Sequence, residues 1–414
     1  MASRHALVIG GSLGGLLAAH LLRSVGWDAT IFERNREDLT GRGAGLGTHP
    51  ELIEVLQHIG IPFDDSMGVK ITDLVCLHRD GTTQLEESTN RVMSSWGRLY
   101  RSLRDALPSA SYRLGMSLTH VEQDEHSVLA SFADGTQVTG DLLVAADGGR
   151  SSVRELFLSE LEPSYAGYVA WRAVLDETDI PPDIHAELFE RYTLCLPEGE
   201  LCLAYPVPGR NNDTDAGRRA YNIVWYHPTS PERLADLCTD VAGTYHAPGI
   251  PPPLIRPDVT AAIKATARDL LAPQVAEIFA RTPQPFFQPI VDLESPRMAL
   301  GRVALLGDAA FVARPHVGAG VTKAALDATS LANAVADGHV TTGLRRYERE
   351  QQPFGRALVA LGRLQEGAYL SAQIKPEAAR TPAERNRSLR DVLDAHHLRS
   401  EKLRQLRLTP HAAG

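Results

Sequence analysis

The sequence predicts an α/β fold in which a domain built on a parallel sheet carries an inserted antiparallel β-sheet domain and C-terminal helices. Three observations lead to this prediction. An apolar run, Leu7–Ile9, passes into a glycine-rich turn and then into helical spacing. Two later apolar runs, 142–146 and 303–306, also end in Gly or Asp. Between them, aromatic and β-branched segments alternate with Pro, Gly and Asn, as in antiparallel strands.

The first turn has the form of a Rossmann-like nucleotide-binding site. Its glycines permit a tight turn, let the backbone approach a pyrophosphate and leave helix N-terminal amides pointing at it. The middle glycine of the G-x-G-x-x-G pattern is replaced by Ser12. A second buried strand, 28–32, ends at Glu33, close to the offset of about 20 residues expected for a ribose-binding carboxylate. A nucleotide with a free ribose 2′-hydroxyl is therefore the predicted ligand.

The same turn fits two other interpretations. One is an ordinary strand-loop-helix connection. The other is the G-x-S-x-G elbow of an α/β-hydrolase, which would expose Ser12 as a nucleophile. A hydrolase of that kind needs an earlier strand and loop for its oxyanion hole, and none is visible before Leu7. We therefore keep the hydrolase as a remote alternative.

Composition narrows the class of protein. The chain has 414 residues, enough for two or three domains. Its net charge of −9 is scattered, which argues against a nucleic acid or a membrane surface as partner. The four cysteines lack C-x-x-C spacing, so we expect neither a metal site nor a disulfide framework. Without a secretory segment or an apolar run of about 18 residues, a cytoplasmic location is expected.

The two later apolar runs end in short motifs. The run 142–146 leads into Asp147-Gly148, and the run 303–306 leads into Gly307-Asp308 and then into 314–320, which reads RPHVGAG. Ligands of open α/β sheets gather at the carboxyl ends of the strands. Three strand ends marked in this way indicate one long ligand, and FAD is a two-part cofactor of that length.

The three motifs in this order resemble the class A flavoprotein monooxygenases, which share the para-hydroxybenzoate hydroxylase fold, over nearly the whole chain. The segments 165–172, 204–210 and 307–316 are most similar to the 2,6-dihydroxypyridine 3-hydroxylase-like members. Two departures bear on substrate more than on fold. Phe311-Val312 stands where the family usually has His-Pro, and Thr322 stands where Asn is common.

The resemblance implies a noncovalent FAD, NADH or NADPH as transient reductant and dioxygen as co-substrate. The flavin would form a hydroperoxide at carbon 4a and hydroxylate an electron-rich aromatic or N-heteroaromatic ring, such as a hydroxypyridine or a phenol. A single glycine fingerprint is visible, so the nicotinamide is expected to have no domain of its own. Two alternatives stay open: an FAD-binding oxidoreductase without oxygen insertion, and a non-enzymatic flavin or nucleotide-binding module.

The resemblance also implies which residues bind the cofactor. The turn residues would contact the pyrophosphate, Glu33 and Arg34 the adenosine, and Asp308 the ribitol hydroxyls, since a carboxylate accepts hydrogen bonds from hydroxyls. Two arginines would neutralise the diphosphate, and a helix beginning at Gly320 would direct its positive end at the reduced flavin. The complete predicted set is Gly10, Ser12, Leu13, Gly15, Glu33, Arg34, Arg42, His49, Arg101, Asp147, Asp308, Gly318, Gly320, Val321 and Thr322.

The substrate pocket is predicted on the antiparallel sheet. Because side chains alternate along a strand, only one of each neighbouring pair can face inward, and the sequence leaves both members open. The candidates are Trp171 or Arg172, Tyr205, Trp225 or Tyr226, and His316. His316 is the predicted base because an imidazole titrates near neutral pH. Tyr205 and Arg172 complete the predicted catalytic set.

The predicted domains are discontinuous. Residues 1–72, 97–158 and 286–362 form the FAD-binding domain, and residues 73–96 and 159–285 form the substrate domain. Residues 363–414 form a C-terminal helical segment, in which basic residues and leucines alternate from Pro376 onward. This segment would pack on the body or on a second subunit, which leaves a homodimer open.

Overall fold

A computed structural model describes residues 4–39, 45–247, 249–369 and 405. The strands are β1 (His5–Ile9), β2 (Asp28–Phe32), β3 (Gly45–Leu46), β4 (Gly68–Leu77), β5 (Thr83–Ser95), β6 (Tyr112–Arg113), β7 (Leu118–Gln123), β8 (Val128–Phe132), β9 (Gln137–Gly140), β10 (Leu142–Ala145), β11 (Ser164–Asp176), β12 (Arg191–Cys195), β13 (Leu201–Val207), β14 (Ala220–Pro228), β15 (Phe286–Glu294), β16 (Ala299–Leu300), β17 (Val303–Leu305) and β18 (Phe311–Val312). The helices are α1 (Leu13–Ser24), α2 (Pro50–His58), α3 (Trp96–Asp105), α4 (Ser152–Phe157), α5 (Pro182–Leu188), α6 (Pro231–Leu237), α7 (Pro257–Leu270), α8 (Pro273–Arg281), α9 (Gly320–Val335) and α10 (Val340–Tyr369).

A six-stranded sheet in the order β16-β17-β10-β1-β2-β6 carries the three motifs. Strand β1 pairs in parallel with both β2 and β10, and β10 pairs in parallel with β17. Leu7 and Val8 in β1 and Val144 in β10 are fully buried, as expected of a parallel sheet covered on both faces. The carboxyl ends of β1, β2, β10 and β17 therefore lie at one edge, which confirms the predicted α/β fold.

A nine-stranded sheet in the order β18-β15-β11-β14-β13-β12-β4-β5-β3 forms the second layer. Strands β11, β13 and β14 correspond to the aromatic and β-branched segments from which antiparallel strands were predicted. Two of the predicted domain boundaries do not coincide with the ends of strands in this sheet. Strand β4 begins at Gly68 and β15 covers 286–294, so parts of the segments assigned to the first domain pair within this sheet.

Alternation along these strands gives the nine-stranded sheet two faces. The helix face includes Trp171, Trp225 and Tyr221, which pack in one apolar core with Val275 and Phe279 of α8. The opposite face, here called the cleft face, is turned toward α9 and the segment before it. It carries Ala170 and Arg172 of β11, Leu203 and Tyr205 of β13, and Val224 and Tyr226 of β14.

Some predictions fall outside the described residues. Arg42 lies in the undescribed segment 40–44, and nearly all of the predicted C-terminal segment beyond 369 is also outside. In the described part, no helix has the length and hydropathy needed to cross a bilayer. Nor do His, Cys, Asp or Glu side chains of that part gather in threes as metal ligands do.

Candidate active site

Two clefts open along the carboxyl edge of the parallel sheet. The small cleft has a volume of about 340 Å³, and the large cleft, between α9 and the cleft face, about 670 Å³. Predicted residues that line the small cleft are Gly10, Ser12, Glu33, Arg34 and Asp147. Predicted residues that line the large cleft are His49, Arg172, Tyr205, Tyr226, Asp308, His316, Gly318, Gly320 and Val321.

The turn between β1 and α1 admits only glycine at two positions. Gly10 has φ +104°, and a Cβ there would lie 2.5 Å from the Ala146 carbonyl oxygen. A Cβ at Gly15 would lie 1.9 Å from the Gly10 oxygen, so the backbone of α1 is in contact with the backbone of the turn. The Leu13 side chain is buried in the core. Leu13 and Gly15 therefore have backbone amides, rather than side chains, to offer a ligand.

Two helices begin at the clefts with unusual N-termini. Each of α2 to α8 has either a capping serine or a proline in its first turn. Helices α1 and α9 have neither, although Ser12 and Ala319 occupy their N-cap positions. Gly318 (φ +71°) turns the chain into α9. Uncapped helix N-termini bind anions well, because their amides and dipole both favour negative charge.

Glu33 is buried at the floor of the small cleft and already holds protein donors. Its Oε2 accepts a hydrogen bond from Gly11 N at 2.8 Å, and its Oε1 accepts from Asn35 N at 2.9 Å and from the Asn35 side chain. The carboxylate thus fixes the glycine turn. A carboxylate has about four acceptor sites, so one acceptor position is left for a ligand hydroxyl.

Asp147 lies where β10 ends and forms part of the small cleft. Its Oδ2 accepts a hydrogen bond from Val153 N at 3.3 Å. Its Oδ1 is buried and has no hydrogen-bond partner in the described part of the chain, and burial raises the pKa of the carboxyl group. An orphaned buried acceptor at the mouth of a cleft is suited to a ligand donor.

Asp308 projects into the large cleft directly after Gly307, which has φ +62°. Burial within the protein raises the pKa of Asp308, Lys323 opposes that rise and Asp327 adds to it. Lys323 and Asp327 both belong to α9, the helix whose N-terminus borders the large cleft. Neither was singled out from the sequence, because an i, i+4 Lys and Asp pair is typical of an exposed helix surface.

The structure shows which member of each neighbouring pair of candidate residues faces the large cleft. Arg172, Tyr205 and Tyr226 face the large cleft. Trp171 and Trp225 face the helix side, with ring centroids 5.0 Å from Phe287 and 5.7 Å from Phe279, respectively. The prediction that Trp171 or Trp225 lines the substrate pocket is thus wrong in both cases, because each points away from the cleft.

His316 lies at the large cleft but is almost completely buried. Its Nε2 is 2.9 Å from the Gly362 carbonyl oxygen, which can only accept, so Nε2 carries the proton. Nδ1 is then the acceptor, 3.4 Å from the Tyr168 hydroxyl. Tyr226 packs edge-on against the ring at 5.9 Å. Of the two bonds, the one to Tyr168 is the longer and the weaker.

The wall opposite the sheet is built from α2, α9 and the segment before α2. His49 Nδ1 and Thr322 Oγ1 are 3.0 Å apart and buried, which joins the starts of the two helices. Gly45 contacts the Tyr205 ring so closely that a Cβ would lie 2.3 Å from it. Tyr205 in turn stacks on Tyr192 with ring centroids 5.1 Å apart.

Two further positions differ from the sequence prediction. Arg101 lines neither cleft, and it donates a hydrogen bond to the Asn211 carbonyl oxygen at 3.2 Å. The expectation that Arg101 neutralises a diphosphate is corrected accordingly. Trp96, which the sequence did not single out, lines the small cleft from the start of α3 and stacks on Tyr100 at 4.9 Å. The sequence feature that could have indicated the position of Trp96 is Ser95, the helix N-cap residue directly before it.

Two clefts flanking a glycine turn, two uncapped helices and carboxylates at both ends define a site for a long dinucleotide of the FAD type. Family comparison agrees. Residues 4–189 match the model of an FAD binding domain, and residues 165–292 match that of an FAD binding domain-like region.

Similar proteins narrow the class further. The chain is 32% identical to 2,6-dihydroxypyridine 3-monooxygenase of Paenarthrobacter nicotinovorans, over 84% of this chain and 87% of that protein. It is 26% identical to 6-hydroxynicotinate 3-monooxygenase of Bordetella bronchiseptica, over 78% and 80% of the two chains. The solved structure of 2,6-dihydroxypyridine-3-hydroxylase from Arthrobacter nicotinovorans superposes with a TM-score of 0.83 at 29% identity, covering 92% of this chain and 96% of that one.

The chain belongs to the family of FAD-dependent monooxygenases that act on aromatic compounds. It is accordingly a flavoprotein that uses FAD as cofactor, NAD(P)H as electron donor and dioxygen as co-substrate. The hydrolase alternative is excluded by this membership. Ser12 is the N-cap residue of α1 at the nucleotide cleft.

Proposed function

We propose that this enzyme hydroxylates a small hydroxylated aromatic ring, with hydroxypyridines preferred over phenols, and binds it as an anion beside Arg172. The observation that carries the proposal is the state of Arg172. Its side chain lines the large cleft, and its guanidinium has no hydrogen-bond or ion-pair partner among the residues that the structure describes. A guanidinium cation without a protein partner in a cleft favours the binding of an anionic ligand.

The choice of a nitrogen heterocycle rests on the relatives. The two relatives described above act, by name, on a dihydroxypyridine and on a hydroxynicotinate. Tyr205 and Tyr226 supply aromatic walls that suit a flat ring of either kind.

We assign the FAD site residue by residue. The adenosine half would lie in the small cleft against Glu33 and Arg34, with Trp96 beside the base. The pyrophosphate would meet the amides of α1, and Asp308 would accept hydrogen bonds from the ribitol. The α9 N-terminus, at Gly320 and Val321, would stabilise negative charge on the reduced ring. FAD, when bound there, supplies dioxygen activation and oxygen transfer.

His316 is our proposed base for the substrate hydroxyl. Because Nε2 is held by Gly362, the proton would be accepted at Nδ1, where the weak contact with Tyr168 would be exchanged for the substrate. Changing His316 to Gln should preserve FAD binding and reduction by NAD(P)H. Hydroxylation should fall by about 10²- to 10⁴-fold, the range for a lost general base, and more hydrogen peroxide should be released. Equal coupling in the variant would transfer the role to Tyr205, Tyr226 or a water.

A substrate screen tests the function itself. Purified enzyme would be supplied with hydroxypyridines, hydroxynicotinates and phenols, and NADH and NADPH consumption would be followed beside the mass of the product. We expect stimulated consumption and a product heavier by one oxygen with a hydroxypyridine. Stimulated consumption that yields only hydrogen peroxide for every compound would favour an oxidoreductase without oxygen insertion.

We also propose that the enzyme works in the reducing environment of the cytoplasm. The four cysteines support this, because all are buried and none of them forms a disulfide. Two of them, Cys195 and Cys202, face each other on neighbouring strands without forming a disulfide.

A further inference from the structure

Two oppositely charged side chains are buried beside the turn that carries Asp308. Lys323 and Asp327 lie one turn apart on α9, and their side chains are 1% and 0% exposed. The Lys323 ammonium is 2.7 Å from Asp327 Oδ2. Burial of an ion pair costs desolvation free energy that the mutual attraction often does not recover. The contacts around this pair show what else it does.

Both charges bind the backbone of one residue, Gly307. Asp327 Oδ2 accepts a hydrogen bond from Gly307 N at 3.0 Å. Lys323 Nζ donates a hydrogen bond to the Gly307 carbonyl oxygen, also at 3.0 Å. That carbonyl belongs to the peptide bond between Gly307 and Asp308. The pair thus fixes the peptide unit from which the Asp308 side chain projects into the large cleft.

Phe311 completes the surroundings of the ammonium group. The Phe311 ring centroid lies 5.6 Å from Lys323 Nζ, and the ring is fully buried. Gly355 of α10 packs directly against the ring, and a Cβ there would lie 2.4 Å from it. Phe311 is one of the residues that depart from the usual family sequence. Here it covers the Lys323 ammonium with an aromatic face.

Other charged and titratable groups reach this turn from the elements packed around it. Arg154 of α4 donates to the Ala309 carbonyl at 3.1 Å, and Tyr347 of α10 donates to the Leu305 carbonyl at 2.8 Å. These two hold backbone on either side of the turn. Lys323 is the cation whose charge lowers the pKa of Asp308, and Asp327 raises it.

We propose that Lys323 and Asp327 are positioning residues for the FAD site, which hold the Gly307–Asp308 turn so that the Asp308 carboxylate meets the flavin ribitol. The inference rests on the proposed assignment of Asp308 to the ribitol. It predicts that the pair acts on cofactor affinity rather than on stability alone.

Replacing both charges together separates these two roles. In Lys323→Met/Asp327→Leu, no buried charge is left unpaired, and such replacements often preserve stability. We expect the apoprotein to keep its near-UV circular dichroism and its Tm. Its FAD dissociation constant, measured by calorimetric titration of the apoprotein, should rise about tenfold or more, since two hydrogen bonds to the turn are lost. A parent-like dissociation constant would overturn the proposal.

A second variant gives a readout that a purely structural role would not change. Lys323→Gln keeps a donor for Gly307 but removes the charge. The pKa of Asp308 should then rise further, so FAD affinity should weaken as the pH falls from 8 to 6, while the parent stays flatter over about that range. A pH profile of the FAD dissociation constant identical to that of the parent would also contradict the proposal. This measurement decides the matter if the double variant does not fold.

Two controls complete the design. Glu177→Gln breaks another buried ion pair, with Arg219, away from both clefts, and should lower the Tm without changing FAD affinity. Asp308→Asn tests the assignment on which the inference rests. If Asp308→Asn binds FAD like the parent, the assignment of Asp308 fails. If it binds weakly while the double variant binds normally, only the role of the pair fails.

Discussion

The two faces of the nine-stranded sheet are formed by the same strands but satisfy their polar groups differently. On the helix face, Trp225 Nε1 donates to Glu200 at 2.5 Å, and Thr193 Oγ1 and the Tyr221 hydroxyl are 3.1 Å apart. On the cleft face, Arg172 Nε and both amide atoms of Asn222 are buried and have no hydrogen-bond partner among the described residues. Asn222 is fully buried, directly across from Tyr205.

The difference shows how function is distributed over one sheet. Buried polar groups without partners are costly, so a stable core normally pairs them, as the helix face does. A face that keeps unpaired groups trades stability for binding. The helix face thus supports the fold, and the cleft face is the one we propose for ligand recognition, although strand alternation places the two faces one residue apart.

The largest effect should come from a deletion on the helix face. Trp225→Ala removes a fully buried aromatic ring and should lower the free energy of unfolding by about 3–5 kcal/mol. Chemical denaturation monitored by fluorescence measures this loss. The folded fraction should retain the parent's KM for substrate. A change in KM without a loss of stability would show that the two faces do not divide in this way.

The buried carboxylate of Glu177, directly after β11, should make the stability of the protein depend on pH. Burial alone would raise the pKa of Glu177, but hydrogen bonds from Arg219 and His185 lower it to about 2 from an ordinary 4.5. The ion pair therefore stabilises the fold above about pH 4.5, and its contribution disappears as the pH falls toward 2. Glu177→Gln should cost about 3 kcal/mol at pH 7.

Thermal unfolding between pH 7 and pH 3 checks this sign. The Tm difference between parent and Glu177→Gln should be greatest at pH 7 and should narrow in acid. A difference that widens as the pH falls would contradict the lowered pKa. Asp183→Asn, at an exposed position of α5, is a suitable control without such a trend.

Arg172→Gln should affect catalysis more than stability. Loss of a charge-assisted hydrogen bond costs about 1.5–3 kcal/mol, so kcat/KM should fall by about 10- to 100-fold. The Tm should not fall, because no internal ion pair is broken. Arg172→Lys should recover part of the activity. As a matched control, Arg191→Gln breaks the 3.1 Å pair with Glu86 of β5, two strands away in the same sheet, and should leave kcat/KM unchanged.

The smallest effect should have opposite signs on the two faces. Asn222→Leu removes an unpaired buried amide and should stabilise the protein by about 1–2 kcal/mol. Thr193→Val removes a paired hydroxyl from the helix face and should destabilise it by about 1 kcal/mol. Denaturant titration of both variants gives the comparison. Destabilisation by Asn222→Leu would mean that its amide is satisfied in solution.

Local sequence was sufficient to predict the fold and the position of several candidate site residues. Gly10, Asp147 and Asp308 each come within three residues of the end of an apolar strand, so their place at the sheet edge follows from strand direction alone. The helix beginning at Gly320 was also predicted. Each of these features depends on a few neighbouring residues.

Features set by distant contacts could not be predicted. Alternation along a strand shows that neighbouring side chains face opposite sides of the sheet, but it does not show which side faces the cleft. The sequence therefore could not distinguish Arg172 from Trp171 as the residue facing the cleft. That Trp96 of α3 lines the small cleft while Arg101 of the same helix does not depends on how α3 packs against the rest of the protein. The role of Lys323 depends on Gly307, which belongs to a different element.

The sheet order also dictates when each part of the molecule can be completed. Strand β10 finds its outer neighbour β17 only about 160 residues later, and β4 must wait for β12 across more than 100 residues. Closing such long loops is entropically costly and makes folding slow. During synthesis, the proposed flavin half-site that contains Asp308 cannot exist until three quarters of the chain has emerged. Cofactor capture is therefore a late event, and earlier intermediates expose sheet edges that invite aggregation.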